Sequence, residues 1–177
     1  MKLKKTIFLL IILFTNIALF AEVKIGYIFS EEIMKKFEDA RQVEIDLEKE
    51  SRKLQQGLLN LQSEYDSLGK DFERTKLLMS DSRRESKLQE LSNMEQKMQR
   101  YQMEKFGPDG EIYRIQAQLL SPVLAKLDEI IREIANERGY DFIFDANGAG
   151  ILFSLDNHNV TEDVLEKLRK ADKIKDD

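Results

Sequence analysis

Few residues in this chain could do chemistry. His158 is the single histidine, beside Asp156 and Asn157, and there is no cysteine. A histidine next to a carboxylate could begin a general base or a metal site. Either needs further convergent ligands or a nucleophile, and no second histidine or thiol supplies them. His158 therefore reads as a surface loop residue. Asp145 and Asn147 have the alternating spacing that opens a calcium loop, but the rest of that loop pattern is missing, so a turn accounts for them better. Gly148-Ala149-Gly150 does not begin a dinucleotide fingerprint, and no GxxxxGK[ST] motif occurs. No cofactor, no metal and no ATP-driven step is expected. The chain reads as a non-enzyme, with a hydrolase the weakest class.

The N-terminus is more informative. Met1-Lys2-Leu3-Lys4-Lys5 is basic, Ile7 to Phe20 is nearly all apolar, and Ala21 precedes Glu22. This is the layout of an export signal. Thr15 and Asn16 interrupt the apolar run, which is shorter than the roughly 20 residues that comfortably span a bilayer. Cleavage after Ala21 is expected, with no nearby Cys to accept a lipid. Loss of Lys2, Lys4 and Lys5 takes the formal charge from −5 to −8. So acidic a mature chain repels phosphates, which argues against nucleic acid as a partner. Without cysteine it has no disulfides either, and its stability must come from packing and association.

Along the mature chain, Val23, Ile25, Tyr27 and Phe29 fall on one face of a strand. Ser30, followed by Glu31 and Glu32, has the chemistry of a helix N-cap, and Ile33, Phe37 and Ala40 continue that helix on one face. Between residues 41 and 79 there is no proline, and Gly57 and Gly69 are the only glycines. Leu54, Leu58, Leu61, Tyr65, Leu68, Phe72 and Met79 alternate spacings of four and three, with Thr75 in the gap and Leu47 a heptad earlier. That is a coiled-coil seam. Ser80-Asp81-Ser82 supplies turn chemistry. A second seam runs through Leu88, Leu91, Met94, Met98 and Tyr101 and resumes at Ile112, Ile115 and Leu119.

Two seams joined by a short turn are satisfied by an antiparallel hairpin; the alternative is one continuous helix in a parallel dimer. Gly107, Pro108 and Gly110 break the descending arm. The helix resumes at Glu111, bends at Pro122 and stops at Arg138 before Gly139. Its last turns carry Leu120, Leu124, Leu127, Ile131, Ile134 and Ala135.

Tyr140–Asp145 reads as a second strand and Gly150–Ser154 as a third, with a turn at 146–149. Thr161 is placed as the N-cap of a final helix, with Val160 stapled onto Leu165. The fold class is therefore α+β and mostly helical. A small β-stranded body, from residues 22–40 and 120–177, carries a long antiparallel coiled-coil hairpin over 41–119, with its tip near 80–83 and a kink near 107–110. So few strand residues bury too little apolar area to stand alone. Protomers are expected to share a core through Ile25, Tyr27, Phe29, Tyr140, Phe142, Phe144, Ile151 and Phe153.

Lys24-Ile25-Gly26-Tyr27-Ile28, Gly139-Tyr140-Asp141-Phe142-Ile143-Phe144-Asp145 and Val160-Thr161-Glu162-Asp163-Val164-Leu165-Glu166-Lys167-Leu168 closely resemble three stretches of the Skp/OmpH family of periplasmic chaperones. Their order around a long coiled hairpin matches as well, so the resemblance covers essentially the whole mature chain. It implies a jellyfish-like homotrimer whose helical tentacles line a cavity. It also implies an ATP-independent holdase that keeps unfolded outer-membrane proteins from aggregating in the periplasm. Well-studied members are strongly basic, whereas this mature chain is acidic, and Gly107-Pro108-Asp109-Gly110 looks like an insertion relative to shorter members. Gly107, Pro108 and Gly110 are the candidate hinge.

Leu59, Leu77, Leu78, Met103, Phe106 and Tyr113 lie off the seam and are the candidate client contacts. Exposed apolar groups offer weak, adaptable attachment to an unfolded chain; the alternative is that they merely widen the hairpin core. Lys70, Arg74, Lys76, Arg83, Arg84 and Lys87 cluster near the tip among Asp71, Glu73, Asp81, Glu85 and Glu90. They read as a solvated ion-pair surface, with membrane-surface contact the minority reading. From another class, the same pattern suits a structural or adaptor coiled coil of the cell envelope.

Overall fold

The return of the chain after its long arm determines the sheet. The computed structural model describes residues 23–175, so the export signal and cleavage after Ala21 lie outside the described residues. Strand β1 (Ile25–Ile28) is followed by helices α1 (Ser30–Lys36) and α2 (Glu38–Thr75). After a 3₁₀ turn at Lys76–Leu78 come α3 (Asp81–Phe106), α4 (Glu111–Arg138), strand β2 (Phe142–Asp145) and α5 (Thr161–Lys175). β2 lies parallel to β1, with Ile25 opposite Phe142 and Tyr27 opposite Phe144. A parallel pair needs a long crossover, and the whole arm provides it.

The expected third strand is not formed. Gly150 turns with φ +63°, and residues 151–155 run on without a ladder partner among the described residues, so Ile151 and Phe153 are not strand residues here. A tight antiparallel hairpin at 146–149 is replaced by a turn whose side chains bind elsewhere. Asp145 accepts from the Ser30 N–H at 3.2 Å and the Ser30 hydroxyl at 2.6 Å. Asn147 Oδ1 accepts from the Glu31 N–H at 3.3 Å. The pair suggestive of calcium thus satisfies the free donors that open α1. Ser30 itself is not the cap: Phe29 holds that position, and the Ser30 hydroxyl donates to Asp145. Burial pushes the Asp145 carboxyl up, but the Ser30 and Asn147 donors outweigh it and hold its pKa below the ordinary value.

Phe37 is extended (ψ 123°) and separates α1 from α2, so the expected continuous helix is interrupted there. Ile33, Phe37 and Ala40 nevertheless all enter the same core. With them pack Ile28, Val123, Leu127, Ile130, Ile134, Val160, Val164, Leu165 and Leu168, drawn from both ends of the chain. Leu124, expected among the apolar turns of α4, is instead half exposed. Lys126 ties this core together: it pairs with Asp172 of α5 and, at 2.8 Å, with Asp39 of α2, and lies 5.0 Å from the Phe37 ring centroid.

At the last helix, Thr161 is the first helical residue rather than the cap. Asn159 Oδ1 accepts from the Thr161 N–H (3.0 Å) and hydroxyl (2.6 Å), while Thr161 Oγ1 accepts from the Phe29 N–H at 3.0 Å. Gly139 ends α4 in the left-handed region at φ 67°, as its position predicts.

Helix α2 contains 38 residues, about 57 Å at 1.5 Å per residue, and folds back against α3 and α4 as the predicted hairpin. Its Leu54, Leu61 and Phe72 are buried. The turn occupies 76–80, slightly ahead of the expected tip, and Ser80 caps α3 by accepting from the Arg83 N–H at 3.4 Å. Met79 therefore falls beyond the helical seam.

Candidate functional site

Two apolar surfaces remain open, one on the body and one along the arm. In β1, successive side chains point to opposite faces, and it is Ile28, with Ile143 of β2, that meets the helices. The apolar row picked out by period-two spacing points the other way. Val23, Ile25, Phe142 and Phe144 are about half exposed, and the Phe142 and Phe144 rings stack at 6.1 Å. Tyr27 on that row is buried and meets Phe29 edge-on at 5.6 Å; Tyr140 packs on the helical core instead. Beyond β2, Leu152 is fully exposed and Phe153 is 83% exposed. Leu155, just past the expected third strand, is exposed as well.

On the arm, Leu59, Met103 and Tyr113 are more than half exposed, and Leu77 and Leu78 are each 88% exposed in the terminal turn. These five do not widen the core. Phe106 differs: it is half buried and lines a shallow cleft of about 380 Å³ with Met103, Gly107 and Pro108. Leu88, placed on the seam by its spacing, is half exposed, and α3 has no buried residue at all. The tip bases are largely neutralised: Arg74 pairs with Asp71, Lys76 with Glu73, Arg84 with Asp81 and Lys87 with Glu90. His158 is half buried, with Nδ1 enclosed and unpartnered among the described residues, rather than an open loop residue. No group of three or more metal-ligating side chains occurs among the described residues.

The break between α3 and α4 is tightly built. A Cβ on Gly107 would collide with the Met103 carbonyl, and one on Gly110 would lie 2.7 Å from the Lys105 carbonyl. Both glycines have negative φ, so they are needed for space rather than for handedness. Lys105 pairs with Glu111 across the break and stands 5.7 Å from the Tyr101 ring centroid. The Lys105 ammonium holds the Glu111 carboxyl below its ordinary pKa against partial desolvation, and Lys53 of α2 adds to the pull.

Gly57 receives the Tyr101 phenol: a Cβ there would overlap its oxygen, and that hydroxyl donates to the Leu54 carbonyl at 3.1 Å. Gly69 has open space around it. Gly69→Ala is therefore expected to stabilise the arm by about 0.5–1 kcal/mol through helix propensity alone. Gly57→Ala should lose that gain, because displacing the phenol removes a hydrogen bond worth about 0.5–1.5 kcal/mol. Urea unfolding followed by circular dichroism checks the pair; equal stabilisation by both would show that the Tyr101 notch is not a close contact.

The family model described as Outer membrane protein (OmpH-like) matches residues 24–168. A crystal structure from Caulobacter crescentus, assigned as an outer membrane chaperone (OmpH-like), superposes with TM-score 0.72 at 15% identity, covering 84% of this chain and 85% of that one. At that identity the likeness is one of fold. No curated protein matches the sequence.

Proposed function

The chain belongs to the OmpH-like family, and from that premise we propose that it is an ATP-independent periplasmic holdase for unfolded outer-membrane proteins. In this reading the protein is exported, loses its signal after Ala21, and assembles as a homotrimer whose arms line a shared cavity. The observation that carries the proposal is the set of exposed apolar side chains strung along the arm: Leu59, Leu77, Leu78, Met103 and Tyr113. Water-exposed apolar groups on a slender hairpin give no folding stability. They gain free energy only when another apolar surface covers them. Many small, non-directional contacts suit clients without fixed shape, and such binding withdraws the unfolded chain from aggregation by mass action.

The half-exposed face formed by Ile25, Phe142 and Phe144, together with Leu152 and Phe153, supports assembly. A two-stranded sheet with one apolar face open is marginal alone, and a second copy offers a matching apolar face. The acidic charge of the mature chain favours apolar over electrostatic capture.

The test is variant holding. Leu77→Ser, Leu78→Ser and Met103→Ser together should weaken protection of a urea-diluted outer-membrane protein roughly a hundredfold, since each apolar contact contributes about 1 kcal/mol. Light scattering provides the readout. Unchanged protection, with oligomeric mass and helix content preserved, would count against capture by the arm; stoichiometric binding of one folded partner would favour the adaptor reading instead.

A further inference from the structure

Sulfur in this chain is confined to methionine, since there is no cysteine. An oxidant that reaches the protein finds thioethers and no thiol, and exposure decides which thioether reacts. Met34 packs against the helical core, Met94 and Met98 are half-buried along the seam of α3, and Met79 is half-buried in the turn. Met103 stands apart. At 66% exposure it is the one exposed methionine among the described residues. Its sulfur lies at the cleft beside the break, so close to Gly107 that a Cβ there would come within 2.8 Å of it. Gly107 carries only hydrogen, so no side chain at that position covers the sulfur.

We propose that Met103 is a reversible oxidation site for peroxides, converted to the sulfoxide while the half-buried methionines are spared. The sulfur lone pair attacks one peroxide oxygen, and an S–O bond forms as the O–O bond breaks. The displaced hydroxide takes the remaining proton and leaves as water; sulfur is oxidised and the peroxide reduced. At Met103 the new oxygen is solvated. At Met94 or Met98 it would be a polar atom without a partner in the seam. The product is thus tolerated where it forms fastest, and a methionine sulfoxide reductase restores the thioether. The sulfoxide replaces an adaptable apolar contact by a polar one, so oxidation attenuates capture by the arm, while Leu77 and Leu78, which carry no sulfur, keep the remainder. That consequence rests on the holding role proposed above; the oxidation site does not.

The test treats folded mature protein with dilute hydrogen peroxide and follows each methionine by site-resolved mass spectrometry. Sulfoxide is expected to accumulate several-fold faster at Met103 than at Met34, Met79, Met94 and Met98, with helix content retained, and to disappear on addition of methionine sulfoxide reductase. In urea the rates should converge, because the selectivity comes from the fold. Equal rates in the folded protein, a seam methionine reacting first, loss of helix, or a sulfoxide that the reductase does not reverse would each overturn the site. Protection of a urea-unfolded outer-membrane β-barrel protein is then read on the same samples. Selectively oxidised protein should protect about fivefold less than untreated protein, the loss of one apolar contact. Met103→Leu should show no peroxide-dependent change relative to its own untreated value. Undiminished protection by the sulfoxide form would overturn the effect on capture and leave the site standing; no protection before treatment would contradict the holding role instead.

Discussion

Replacing Leu168 by Ala is expected to cost roughly 2–5 kcal/mol of stability, the range for removing a fully buried leucine and leaving a cavity. Leu168 is 0% exposed and packs in the cluster that unites Ile33 from the first turns of the chain with Ile134 at the foot of α4 and Val164 on its own helix. The cluster is small, and most domains are stable by only about 5–15 kcal/mol, so the loss should be visible as a lower urea midpoint in circular dichroism. Leu88, half exposed on α3, provides the comparison: Leu88→Ala should cost under about 1 kcal/mol. A Leu168→Ala midpoint equal to that of Leu88→Ala would mean that the two ends of the chain do not share the core described above.

Placing a charge on the open sheet face should have an effect as large, on assembly rather than folding. Phe144 is 42% exposed and stacked on Phe142, so Phe144→Asp leaves the helical core untouched. In the proposed homotrimer this face is covered by another copy. The substitution would then forfeit about 1.5–3 kcal/mol of apolar burial per subunit and bring a carboxylate into an apolar contact. Sedimentation at micromolar concentration should find the native protein as a trimer and the variant mainly as folded monomer. A variant that keeps the native mass would remove the sheet face from the interface.

How far the sequence disclosed these features depends on whether the signal was local. The hairpin was legible because its seams repeat over many residues, and Gly139, Ser80 and the 107–110 break carry their own turn and cap chemistry. What was hidden needed knowledge of distant partners. Asp145 and Asn147 cap a helix more than a hundred residues earlier in the chain, and nothing in their own neighbourhood distinguishes that from an ordinary turn. Period-two spacing found the apolar row of β1 but could not say that Ile28, the odd residue, is the one that meets the helices. The missing third strand has the same origin. Gly150–Ser154 has the composition of a strand, yet strands need a partner edge, and none is supplied within the described residues. Among the candidate contacts, spacing placed Leu59, Leu77, Leu78, Met103 and Tyr113 off the seam correctly. Phe106 is drawn partly inward by the adjoining break, and Gly57 gave no sign of its close contact because its partner, Tyr101, comes from the opposite arm.

In the proposed function this chain holds unfolded protein through the apolar side chains of its arm. The direct measurement is light scattering after a urea-unfolded outer-membrane β-barrel protein is diluted into nucleotide-free buffer, with and without the mature protein at one trimer per client. Suppressed scattering, with the client recovered in a soluble complex with the oligomer, is the predicted result; scattering that rises equally in both samples would contradict it.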